Sequence, residues 1–181
     1  MTITEYAELA QRTASTKTKE DKIGHGCLGL IGEAGEIIDI VKKMRYMGMT
    51  DGISKAKLTD EASDCLWYLV ELCKGLNYNV SDVLDAPRNG LYEFKYKPNT
   101  IYSAAIEIIL TIESCLEPDD VASTIANFTF VDLAEIADYI LFILKKIHVS
   151  LEYTMEYNIE KLSQRYPEHV FSADRSNERY V

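Results

Sequence analysis

Apolar and polar positions alternate at helical spacing along almost the whole chain, and helix signals dominate it. Thr2 or Thr4 caps a first helix, with Glu5 in its first turn, that runs to about Ala14. The polar stretch STKTKEDKIG reads as a loop, and a second helix follows from about His25 to Tyr46. Gly48 and the segment MTDGIS separate it from a third helix, about Lys55 to Cys73, which Gly75 and Asn77 end. A short helix starts at Ser81 and is limited by Pro87. Pro87, Asn89, Gly90 and Pro98 mark residues 85–100 as a connecting segment. Further helices are predicted over Ile101–Leu116, Val131–Ile147 and Leu151–Gln164, the last capped by Ser150 and stopped by Tyr166-Pro167. The segment PDDVASTIANFTF has no clear signal, and the tail EHVFSADRSNERYV reads as loop. The expected fold class is all-α, a helical bundle.

Two segments look alike. TDEASDCLWYLVELCKGLNYNVSDVL and VDLAEIADYILFILKKIHVSLEYTM each contain a Glu-x-x-Asp step, an apolar run and a Ser opening a further helix. Glu61 and Asp64 match Glu135 and Asp138, which suggests an internal duplication. Two amphipathic bundle helices also look alike by chance, so that alternative stays open. The expected organisation is a first helical unit over 1–84 with the carboxylates, a connection over 85–100 and a second unit over 101–181, packed as one body.

Composition narrows the function. The chain of 181 residues carries a formal net charge of -10, which repels nucleic-acid backbones and argues against a general DNA or RNA binder. The longest apolar runs, Ala104–Leu110 and Tyr139–Leu144, are too short to span a membrane. The N-terminus has no basic-then-apolar signal, so a cytoplasmic location is expected. Cys27, Cys65, Cys73 and Cys115 sit in apolar helical patterns and read as reduced core residues, and His25, His148 and His169 are isolated, without zinc-site spacing. No Gly-rich loop ends in Lys-Ser/Thr, which argues against a P-loop nucleotidase.

The candidate chemistry lies in carboxylates. Glu33 and Glu36 are three apart on one predicted helix, and Glu61 and Asp64 are three apart on the next. Such pairs share a helix face, so four carboxylates converge if the helices pack antiparallel. Glu36 is followed by Ile37, Ile38 and Ile40, and Asp64 by Cys65, Leu66, Trp67, Tyr68 and Leu69. Carboxylates beside a core stripe repel one another and lose hydration, which a hard divalent cation relieves. Gly32 and Gly35 flank Glu33, and their bare backbone suggests close approach of another helix or a ligand. Spacing alone also fits solvated acidic pairs.

The segments GLIGEAGEIIDIVKK and DEASDCLWYLVEL resemble the all-α nucleoside triphosphate pyrophosphatase superfamily, in its MazG-like branch. The family pattern is Glu-Glu-x-x-Glu, a spacer, then Glu-x-x-Asp. Gly32 stands where the leading Glu is usual, and Glu33, Glu36, Glu61 and Asp64 complete the pattern. The opening TITEYAELAQRTA and the closing NIEKLSQRYPEHVFSADRSNER are similar to those of short MazG-like proteins; the middle of the chain is unusual. The resemblance implies that Glu33, Glu36, Glu61 and Asp64 are the catalytic, magnesium-binding residues, with manganese as a substitute ion. It also implies that Asn158, Lys161 and Arg165 reach the phosphates or the nucleotide. Lys42, with Lys43 and Arg45, is a weaker basic candidate that equally suits a helix C-terminus.

The implied reaction is nucleoside triphosphate plus water giving monophosphate plus diphosphate, with Glu36 or Glu33 orienting or deprotonating the water. The first half keeps the carboxylates and the second keeps the Asn-x-x-Lys-x-x-x-Arg step, so one working site from both halves is expected. The expected partners are the triphosphate and a second copy in a possible homodimer, without nucleic acid or membrane. Trp67 and Tyr68 either stack on a base or fill the core. A non-catalytic helical interaction module and a metal-stabilised structural bundle remain as other readings.

Overall fold

Side-chain caps set where the helices begin. In the computed structural model, which describes residues 1–90, 96–116, 127–168 and 170–177, Thr2 and Glu5 form a reciprocal capping box at the start of α1 (Ile3–Gln11). The Thr18 hydroxyl accepts from the Asp21 backbone N–H and opens α2 (Lys19–Tyr46). Thr50 precedes α3 (Asp51–Leu76) without a side-chain cap bond, and the Asn79 side chain caps α4 (Val80–Arg88). Thr100 with Ser103 opens α5 (Ile101–Cys115), and Thr129 with Asp132 opens α6 (Phe130–Lys146). Ser150 caps α7 (Leu151–Arg165), and a short α8 covers Ala173–Asn177. Each such cap is worth about 1 kcal/mol.

Several boundaries differ from the sequence expectation. α1 stops at Gln11, short of Ala14. α2 starts well before His25, because Thr18 caps it and Glu20 and Asp21 complement the helix dipole in its first turn. α3 starts before Lys55 and continues to Leu76, where Asn77 turns into the left-handed region at φ 64°. Pro87 lies inside the last turn of α4, so it does not end the helix ahead of itself. The tail contains a short helix where only loop is expected.

α2 and α3 form a long antiparallel hairpin. They approach closely at Gly26, Gly29 and Gly75: a Cβ on Gly26 would sit 2.9 Å from Leu72 Cβ, one on Gly75 would sit 2.8 Å from Ile23, and one on Gly29 would run into the Tyr68 ring. Gly32 and Gly35 do not serve that purpose, since an added Cβ on either meets nothing within 4 Å. α5 packs on α2, and α6 packs on α5, α3 and α4, so the second hairpin lies against the first. α1 and α7 pack on each other and on α3. Leu30, Ile37, Leu66, Leu69, Ile108, Ile112, Ile136 and Ile140 fill one core shared by both hairpins. Full burial contributes roughly 1.5–3 kcal/mol for each such side chain.

Cys27, Cys65, Cys73 and Cys115 are buried and unpaired. Burial pushes the Cys27 and Cys73 thiols up to about 12 and Cys115 to about 11, so these three are poor thiolate nucleophiles at neutral pH. Among the described residues no helix is long and apolar enough to cross a membrane. The segment PDDVASTIANFTF falls largely outside the described residues, as does His169.

Candidate metal centre

The hairpin brings three of the four expected carboxylates together. Glu33 of α2 and Glu61 and Asp64 of α3 each present an oxygen, and these oxygens lie within 4.8 Å of one another. All three side chains are partly buried. Glu36 stays outside this group and is exposed. Helix rotation explains the split. The core stripe of α2 runs through Leu30, Ala34 and Ile37. Glu33 borders that stripe, and three further residues turn the helix by about 300°, carrying Glu36 a further 60° or so away from it.

The triad is short of positive charge. Burial, reinforced by the charges of Asp64 and Glu61, raises the Glu33 carboxyl well above the usual carboxylate range. Burial and the charges of Asp60 and Asp64 raise Glu61 in the same direction. Each anion disfavours ionisation of the next, and the surroundings hydrate none of them fully.

α7 supplies the cationic side. Lys161 Nζ lies 2.6 Å from Asp64 Oδ1, 2.6 Å from Asp60 Oδ1 and 3.4 Å from Ser63 Oγ. Burial works against its charge, but Asp64 and Asp60 outweigh that and raise its proton affinity. Asn158, one turn earlier and fully buried, donates from Nδ2 to Asp64 Oδ1 and Ser63 Oγ, each at 3.3 Å, and accepts from the Tyr6 hydroxyl at 3.0 Å. It locks α7 onto α3 and α1, and in this arrangement it holds Asp64 itself. Arg165 joins Glu33 and Asp64 in the wall of a cavity of about 200 Å³, whose wall also includes His25, Trp67 and Tyr68. These three rings meet edge to face, with centroids 5.0–5.8 Å apart. Lys42 is elsewhere: with Lys43 it pairs to Asp39, and it lines a shallow groove beside Tyr46 and Tyr102.

A hard divalent cation suits this centre. The donors are all carboxylate oxygens, the set that magnesium, manganese and calcium prefer, and among the described residues no thiol or imidazole joins them. Their mutual repulsion is the feature such an ion would relieve. The second pair, Glu135 and Asp138, belongs to no comparable group among the described residues. There burial raises the Asp138 carboxyl while Lys97 lowers it.

Sequence reasoning missed Asp60, Ser63, Tyr6 and His25. Asp60 and Asp64 are four apart in the run DEASD, a spacing that puts both on one helix face. His25 gives no signal of its own, because its ring partners Trp67 and Tyr68 come from α3. No protein-family model matches the chain, and neither a curated protein nor a solved structure matches it.

Proposed function

We propose that the chain is a magnesium-dependent nucleoside triphosphate pyrophosphohydrolase of the MazG-like kind, working on the cytoplasmic nucleotide pool. One observation carries this reading. Glu33 of α2, Asp64 of α3 and Arg165 of α7 border one cavity with an aromatic wall, and Lys161 of α7 pairs with Asp64 at its edge. A triphosphate needs all three: a cation site for its oxygens, fixed positive side chains for the departing diphosphate, and flat rings for its base. The α5–α6 hairpin fits a second copy of the α2–α3 unit that has lost its ligands.

Glu33, Glu61 and Asp64 would hold the ion, with manganese able to replace magnesium. Bound there, it supplies charge neutralisation and Lewis acidity toward the α-phosphoryl group. Glu33 would take a proton from the attacking water on a carboxylate oxygen. The water oxygen bonds to the α-phosphorus as the bond to the α–β bridging oxygen breaks, and diphosphate leaves. Lys161 and Arg165 face the charge that develops on that leaving group. Glu36 takes no direct part in this scheme.

The test is product analysis of a panel of ribo- and deoxynucleoside triphosphates with magnesium. Monophosphate plus diphosphate is expected. Monophosphate with separate orthophosphates, or no turnover by folded protein, overturns the reading. Manganese-dependent stabilisation without turnover would make the centre structural.

A further inference from the structure

Asp60 is not one of the three clustered ligands, yet it shares Lys161 with one of them. Lys161 Nζ is 2.6 Å from Asp60 Oδ1 and 2.6 Å from Asp64 Oδ1. Asp64 belongs to the triad and Asp60 does not. A divalent ion at the triad and the Lys161 ammonium would therefore compete for the Asp64 carboxylate, and like charges on one acceptor repel. A lysine that loses its only acceptor swings on a flexible four-carbon stem into water. Asp60 prevents that loss.

Its own position is braced from α7. The Tyr157 hydroxyl lies 3.4 Å from Asp60 Oδ1, and the Tyr157 ring centroid is 6.0 Å from Lys161 Nζ. Asp60 and the ring thus both contact the ammonium independently of Asp64. We propose that Asp60 is a positioning residue that retains Lys161 at the centre when Asp64 turns to a cation, keeping the ammonium ready for a phosphate oxygen. This rests on reading the triad as a cation site and Lys161 as a phosphate contact.

The experiment is a double-mutant cycle on the full chain, with Mn²⁺ alone as probe and its binding followed by loss of the free-ion electron paramagnetic resonance signal. In Asp60→Asn, Asp64 is the only carboxylate left to Lys161 beside the longer contact to Ser63 Oγ at 3.4 Å, so the ion must compete with the ammonium for it, and the Mn²⁺ Kd is expected to rise about tenfold. In a Lys161→Met background the same Asp60→Asn change is expected to move Kd less than about twofold. Asp60→Glu should restore most of the affinity. An equal loss in both backgrounds means that Asp60 acts only as a nearby charge, and overturns the proposal while leaving the cation site intact. Absence of Mn²⁺ binding by the folded wild-type chain overturns the cation site, and the proposal with it. In turnover, Asp60→Asn is expected to raise KM for the triphosphate more than it lowers kcat; a fall in kcat alone would also count against it.

Discussion

Glu71 and Asp64 lie two turns apart on the same helix, and their surroundings are opposite in kind. Glu71 is fully buried. Its carboxylate nevertheless accepts from Gln11 Nε2 at 2.9 Å and from the Thr16 hydroxyl, with Lys22 Nζ and His25 Nδ1 each 3.7 Å away. Burial pushes its carboxyl up, but the contacts from His25, Thr16 and Gln11 and the charge of Lys22 outweigh burial and hold it below the usual range. Glu33 and Glu61, less buried, are pushed the other way. Burial alone therefore does not mark a site. Glu71 has its donors built into the fold, and it ties α1 and the start of α2 to α3. The triad has three anions and one lysine, which leaves a deficit of positive charge for a ligand to make up.

The largest expected effect breaks the triad. Glu61→Ala removes one ligand of three and should lower kcat for triphosphate hydrolysis by at least about 10²-fold, read as diphosphate released, with Mn²⁺ binding lost in parallel. Glu71→Gln should leave Mn²⁺ affinity within about twofold while lowering unfolding stability by about 1–3 kcal/mol in urea titration, because Lys22 and His25 then face a neutral amide in a buried place. If Glu71→Gln abolished metal binding and left stability untouched, the contrast between the two carboxylate sites would be wrong.

The same contrast has a pH signature of opposite sign at the two places. Glu71 binds its proton less tightly in the fold than in the unfolded chain. Its contribution is present above the unfolded carboxylate value of about 4.3 and is lost as pH falls through its lower folded value. Glu33 and Glu61 bind protons more tightly in the fold. Their protonated forms favour the fold below about 4.3, and that contribution is lost as pH rises through their higher folded values. Metal-free protein should therefore lose stability from mid-acid toward neutral pH. Glu33→Gln, uncharged throughout, should flatten that fall and raise the metal-free Tm near pH 8 by a few degrees. Added Mn²⁺ should raise Tm more at pH 8 than at pH 5, since the ion binds the deprotonated carboxylates. Thermal melts with and without Mn²⁺ at the two pH values check both statements.

Local signals in the chain mark what is local in the fold. The helices are legible because their apolar positions recur at the helical period, but the starts of α2 and α3 are not, because the threonines before them lie inside polar stretches that read as loop. Glu33, Glu61 and Asp64 are legible as candidates because acids recur at i,i+3 spacing on two adjacent helices, but that spacing offers Glu36 equally and does not show which of the α2 pair faces α3. Glu71 is invisible, since its partners Gln11 and Thr16 are 60 and 55 residues away and an isolated Glu in an apolar run shows none of them. The meeting of Lys161 with Asp64 spans 97 residues and depends on how α7 docks, which periodicity does not encode.

Glu36 gives the smallest expected effect and the sharpest test of how spacing is to be read. Its position in the sequence equals that of Glu33, yet only Glu33 borders the stripe that faces α3. Glu36 is exposed and stands outside the group of three carboxylates. Glu36→Gln should therefore change Mn²⁺ affinity by less than about threefold, the size expected of a screened charge near an exposed surface. Glu33→Gln under the same conditions should weaken Mn²⁺ as severely as loss of Glu61. Equal and large losses from both substitutions would mean that the α2 backbone turns on metal binding to present two carboxylates, and the arrangement of three ligands would have to become four.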